Sequence, residues 1–133
     1  MKYRGGYKYQ LAEDETFQTN IKPPHSIFTA RIDLYTTGLL VIREGYSWDG
    51  TSGPVIDRKT NQRGSLAHDA LYQLMRMELL AHYNWPLADL EFAKCIKEDG
   101  AWDLTAKIDL IGLKLAKGRA ALPKNRKKVY EAP

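Results

Sequence analysis

The string His68-Asp69-Ala70-Leu71-Tyr72 holds the residues of this chain best suited to chemistry. Read as helix, it places His68 and Tyr72 one above the other, four residues apart, with Asp69 about 100° further round. Histidine and aspartate are poor helix formers. Here they stand among Leu66, Ala67, Ala70 and Leu71, at the border of an apolar stripe. A buried imidazole needs partners for its ring nitrogens, and a buried carboxylate needs donors or a cation. Asp89 is the natural partner. It is flanked by Ala88, Phe92, Ala93 and Ile96 on the apolar side of a second helix, where an unpaired carboxylate costs roughly 1–3 kcal/mol or more. A short connection favours antiparallel packing, which brings Asp89 to one nitrogen of His68. Such a carboxylate–imidazole pair fixes the histidine tautomer and makes the ring a general base. The same residues equally suit a buried ion-paired network without turnover. Both readings stand.

Asp49 adds a further carboxylate. It lies in Tyr46-Ser47-Trp48-Asp49-Gly50-Thr51-Ser52-Gly53-Pro54, a glycine-punctuated loop ahead of the first helix. Calcium takes six to eight oxygens, so Asp49, Asp69, loop carbonyls and waters together suit that ion. The alternative is an Asx turn, with Asp49 bonded to its own backbone. A second metal set, joining His25 and His82 to His68-Asp69 as in helical phosphohydrolases, fits poorly because His25 precedes a predicted hairpin. Cys95 is the only cysteine. It excludes disulfides and multi-cysteine metal sites, and it falls on an apolar helix face as inert core.

The elements that must position these groups read as β first, then α. The first forty-five residues are extended, with Tyr3, Tyr7 and Tyr9 suggesting an edge strand. From Ile27 the pattern alternates, with Phe28, Ala30, Ile32 and Leu34 predicted to face inward and Asp33 outward. A turn at Thr36-Thr37-Gly38 returns the chain as Leu39-Leu40-Val41-Ile42, a β-hairpin. Gly45 to Gly64 reads as loop. Ser65 is the expected N-cap of a first helix running to about Leu80. Pro86 suits the first turn of a second helix, which stops near Gly100. A third is expected over about Leu104 to Lys117. The fold class is α+β: a small antiparallel sheet followed by two or three packed helices. Residues 1–122 form one expected domain and 123–133 a basic arm.

Composition sets the outer bounds. The chain has 133 residues, 44% hydrophobic and 27% charged, enough to bury a core without staples. No apolar run approaches the ~20 residues that span a bilayer. The start, Met1-Lys2-Tyr3-Arg4-Gly5-Gly6, does not read as a secretory signal. No Walker-type phosphate loop, dinucleotide fingerprint or nucleophile elbow occurs. Residues 104–133 carry eight Lys/Arg against two acids, whereas residues 1–103 carry twelve against fourteen. A basic end on a near-neutral body suggests an anion-docking element, or simply a solvated tail. Lys124, Arg126, Lys127 and Lys128 follow Pro123 as an extended arm. It lacks aromatic interleaving, so sequence-specific nucleic-acid binding is not expected.

Trp48-Asp49-Gly50-Thr51-Ser52-Gly53-Pro54, then Gly64-Ser65-Leu66-Ala67-His68-Asp69-Ala70-Leu71-Tyr72 and Ala88-Asp89-Leu90-Glu91-Phe92, resemble a family of phage and prophage proteins of unknown function, the domain of unknown function numbered 1353. The resemblance spans Ile32 to about Leu113 and implies a viral origin without an activity. His68-Asp69-x-x-Tyr72 with a later helical Asp89 is more distantly similar to phospholipases A2, especially bacterial ones. That similarity implies His68 as the base that activates water and Asp89 as its orienter, and the Tyr72 hydroxyl is expected to complete the network. It also implies Asp69, with Asp49, as calcium ligands. The family's inter-helix disulfides are impossible here, and its calcium loop is loosely matched. The expected function is therefore a phage-encoded, metal-assisted hydrolase of a lipid or other ester. The alternative is a non-enzymatic virion or assembly component such as a tail, baseplate or capsid-associated part. The expected partner is an anionic lipid surface or a phage structural protein, in the host cytoplasm or, in the second reading, within the virion.

Overall fold

The computed structural model describes residues 3–4, 9–48, 62–100 and 121–123. Its architecture is α+β: among the described residues two antiparallel sheets come first in the chain and two α-helices follow. The chain's contacts cluster in two compact units, one holding the described residues up to Trp48 and the other those from Gln62 onward. The first unit is built on sheet and the second on a helix pair. Among the described residues, no helix is long and apolar enough to cross a membrane.

In the first unit, β1 (Tyr3–Arg4), β2 (Tyr9–Leu11) and β7 (Ser47–Trp48) make a three-stranded sheet in that order. The second sheet runs β3 (Glu15–Gln18), β6 (Leu39–Ile42), β5 (Ile32–Leu34), β4 (Ile27–Phe28). The β5–β6 hairpin pairs Ile32 with Ile42 and Leu34 with Leu40. Its turn is where the sequence places it. Gly38 has φ 89°, and a Cβ there would lie 2.3 Å from the Thr19 carbonyl oxygen, so only glycine fits.

The single strand expected from Ile27 to Tyr35 is instead two strands around a tight turn. The Thr29 hydroxyl donates to the Ile32 carbonyl, and the Ile32 N–H donates back to that hydroxyl, both at 2.8 Å. The turn shifts the alternation by one, so Ile27 is buried while Phe28 and Ala30 are exposed, against expectation. Asp33 corrects the pattern too. It is buried in the central strand, and both its oxygens accept hydrogen bonds from Arg43. That contact raises the Arg43 guanidinium pKa further.

In the second unit, α1 spans Gln62–Arg76 and α2 spans Trp85–Glu98, joined through a short 3-10 turn at His82–Asn84. Ser65 is not the N-cap of α1. Its hydroxyl donates to the Gln62 carbonyl at 2.9 Å, inside the first turn, the back-bond that a mid-helix serine makes. The helix also ends before Leu80. Glu78 takes φ 60°, and Glu78 N–H donates to Met75 O while Leu79 N–H donates to Leu74 O, the paired bonds of a Schellman cap. Pro86 sits in the first turn of α2, and Gly100, φ 95°, follows its end, as expected. The third expected helix, Leu104 to Lys117, lies outside the described residues.

Candidate active site

Two antiparallel helices set this site. Near the start of α1, Arg63 pairs with Asp99 beyond the end of α2 at 3.1 Å. One residue on, Gly64 lets the helices approach closely: a Cβ there would stand 2.9 Å from the Phe92 carbonyl oxygen. One turn later His68 meets α2. Its Nε2 lies 2.7 Å from Asp89 Oδ1. Tyr72, a further turn along, donates its hydroxyl to the same Oδ1 at 2.7 Å. The histidine ring also stacks on Tyr72, with centroids 4.0 Å apart, and meets the edge of Phe92 at 5.7 Å.

Asp89 is fully buried and His68 only 7% exposed. An ionised carboxylate can only accept, so Nε2 must carry the proton that lies between it and Oδ1. In neutral His68 the lone pair then belongs to Nδ1. The hydrogen bond seen to this ring among the described residues is the one at Nε2. Tyr72 cannot compete as an acid. Burial, then the bond to Asp89 and its negative charge, push the phenol pKa well up, so the hydroxyl stays a neutral donor. Asp89 Oδ2 is buried with no hydrogen-bond partner among the described residues. The carboxylate is thus held through one oxygen by two donors from successive turns of α1. The arrangement can fix a ring, set its tautomer and stabilise an imidazolium.

Asp69 lies beside this group, outside its hydrogen bonds to Asp89. Its side chain is 18% exposed, and Oδ1 is 3.9 Å from Nη2 of Arg76, which is buried. Sequence reasoning missed Arg76. An arginine in the last turn of a helix reads as a solvated charge suited to the dipole, and nothing in the pattern announces its burial. Asp49 lies outside the described residues, as do Lys124, Arg126, Lys127 and Lys128. His25 is exposed in the segment before β4, and His82 opens the 3-10 turn. Among the described residues, no group of three or more histidine, cysteine or acidic side chains is placed to hold a metal ion. Cys95 is buried on α2, and burial pushes its thiol up to about 12.

The chain matches no protein-family model, and comparison with curated proteins and with solved structures returns no match either.

Proposed function

We propose that this chain is a hydrolase of lipid or other esters, phage-encoded, in which His68 acts as general base. The observation that carries the reading is the double hold on Asp89 Oδ1, by His68 Nε2 and the Tyr72 hydroxyl. In this reading Asp89 and Tyr72 orient the ring. Nδ1 accepts a proton from water as the oxygen attacks the ester carbonyl, and returns it to the leaving alkoxide. The imidazolium formed in between is stabilised by the buried Asp89 carboxylate.

The phospholipase-like reading also includes calcium, held by Asp69 and Asp49, which when bound supplies Lewis-acid polarisation of the carbonyl. A partly exposed carboxylate next to the base is the right donor chemistry for a hard cation. The Arg76 guanidinium, 3.9 Å from Asp69 Oδ1, opposes it. Calcium binding is tested by melting the protein in calcium, magnesium and chelator. An ion at 100 times its Kd adds about 2.7 kcal/mol. The basic residues Lys124, Arg126, Lys127 and Lys128 are proposed as an anchor to an anionic surface.

Fatty-acid release from phospholipid vesicles and turnover of short-chain soluble esters, by wild type and His68→Ala, test the enzyme. Turnover that His68→Ala abolishes in a folded protein supports it. No turnover on any substrate class, or turnover untouched by the variant, rejects it.

A second reading is favoured by the depth of burial. Asp89 is wholly enclosed, as befits a polar network that fixes how two helices of a virion or assembly component pack. Removing one member then strands a buried charge, at roughly 3–5 kcal/mol, and His68→Ala unfolds the protein rather than silencing it.

A further inference from the structure

Alanine is the better helix former, so a glycine in the first turn of α1 asks for a reason. At Gly64 the reason lies across the helix interface. A Cβ there would stand 2.9 Å from the Phe92 carbonyl oxygen and 3.4 Å from Cys95 Cβ and Ile96 Cγ1, all of them on α2. The tightest of these is backbone inside a helix, which cannot swing aside as the end of a side chain could. Phe92 also joins Gly64 to the buried pair. Its ring meets the His68 ring at 5.7 Å, with the two planes inclined at 71°. His68 follows Gly64 by four residues on α1, and Asp89 precedes Phe92 by three on α2. The two contacts therefore lie about one helical turn apart, roughly 6 Å along the axis.

We infer that Gly64 is a positioning residue for His68. By letting the backbones of α1 and α2 touch at Phe92, it sets the distance across which His68 Nε2 meets Asp89 Oδ1. The size of the effect follows from the contact. Ordinary van der Waals contact begins at 3.4 Å, so a methyl group at position 64 must open the helices by about 0.5 Å there. Over one turn, two stiff helices carry that opening to the pair. The His68–Asp89 distance then rises from 2.7 Å to about 3.2 Å, the outer limit of a normal N–H···O bond. Side-chain rotation does not recover it. The imidazole is held by Tyr72, stacked at 4.0 Å, and by Phe92. Asp89 is fully buried and bound to the Tyr72 hydroxyl as well. The inference deepens the general-base reading above and rests on it only for the effect on turnover.

The test compares full-length wild type with Gly64→Ala and Ile96→Val. Each variant is also made in a Glu78→Gly background, where relief of the φ 60° cap supports the fold. Ile96→Val is the control, because it loosens the buried face of α2 without intruding on α1. Melts by circular dichroism identify the folded proteins. The readout is the ring Nε2–H proton of His68 in nitrogen-labelled protein, through its chemical shift and its exchange with water. In wild type it is expected far downfield and slow to exchange, as suits a short bond to a buried carboxylate. Gly64→Ala should move it upfield and speed its exchange by about tenfold or more, as local opening allows. Ile96→Val should leave it in place. In a protein that turns over a soluble ester, kcat should fall in Gly64→Ala with KM unchanged. A Gly64→Ala signal that stays put, or one that Ile96→Val displaces equally, overturns the inference. So does a Gly64→Ala protein that folds in neither background, since Gly64 would then serve the fold and not the pair. The spectrum is read without substrate, so failure to hydrolyse any ester rejects the hydrolase reading and leaves the positioning role standing.

Discussion

Tyr72→Phe is the sharpest probe of the buried network, because it removes one hydroxyl and leaves the ring. The Tyr72 side chain is buried, its hydroxyl lies 2.7 Å from Asp89 Oδ1, and its ring stacks on His68 at 4.0 Å. Phenylalanine keeps that stacking. What it loses is a hydrogen bond to a charged acceptor, a class worth about 1.5–3 kcal/mol. The upper half of that range is expected, because Asp89 Oδ2 already lacks a partner among the described residues. After substitution the carboxylate keeps His68 alone. In the Asp89→Asn background the acceptor is neutral, and the same change should cost only ~0.5–1.5 kcal/mol. The double-mutant cycle should therefore show a coupling of about 1 kcal/mol or more. Urea denaturation followed by the helical far-ultraviolet dichroism signal reads all four proteins. If Tyr72→Phe falls within ~0.5 kcal/mol of wild type, or costs the same in both backgrounds, the hydroxyl is not holding an ionised Asp89.

The remaining expectations use the same denaturation assay or simple labelling. Glu78→Gly should stabilise by about 0.5–1 kcal/mol, because Glu78 closes the Schellman cap at φ 60°, a conformation glycine adopts without the Cβ penalty. Gly64→Ala should destabilise by about 1–3 kcal/mol, because its methyl would meet the Phe92 carbonyl oxygen at 2.9 Å and wedge the helices apart. Stability should fall as pH rises above about 9. Cys95 is held protonated up to about 12 in the fold while the unfolded thiol ionises near 9.0, so the unfolded state binds fewer protons across that window. Tyr72 acts in the same direction. Native Cys95 should accordingly resist alkylation at pH 8 and react promptly in urea, as followed by mass spectrometry.

What the sequence makes legible follows from which residues have a single physical option. Gly38 and Pro86 mark the turn and the helix start correctly, since their backbone preferences leave little choice. Leu39–Ile42 reads as a strand because four branched or aliphatic residues follow that turn. β3 escapes notice because Phe17 is the only apolar residue in Glu15-Thr16-Phe17-Gln18; its pairing with β6 decides the conformation. Residues 27–35 alternate cleanly on paper, yet the Thr29 hydroxyl turns the chain and reverses the phase. The end of α1 is hidden for a similar reason. Leu79 and Leu80 continue the apolar pattern past a cap formed by glutamate, where glycine would have announced it. In the site, the meeting of His68 with Asp89 is legible from helical spacing and a short connection. The shared oxygen is not, nor is the burial of Arg76 beside Asp69 or of Asp33 under Arg43. Those depend on side-chain directions that periodicity does not encode.

The central claim is that Asp89 presents His68 with Nδ1 free to take a proton, and the tautomer of His68 tests it most directly. Two-bond proton–nitrogen correlation spectra of selectively labelled protein, recorded well above the histidine titration, read which ring nitrogen carries hydrogen. The account predicts the Nε2–H form for His68, with its signals displaced in Asp89→Asn and those of His25 and His82 unmoved. A His68 in the Nδ1–H form, or one whose spectrum does not respond to Asp89→Asn, contradicts it.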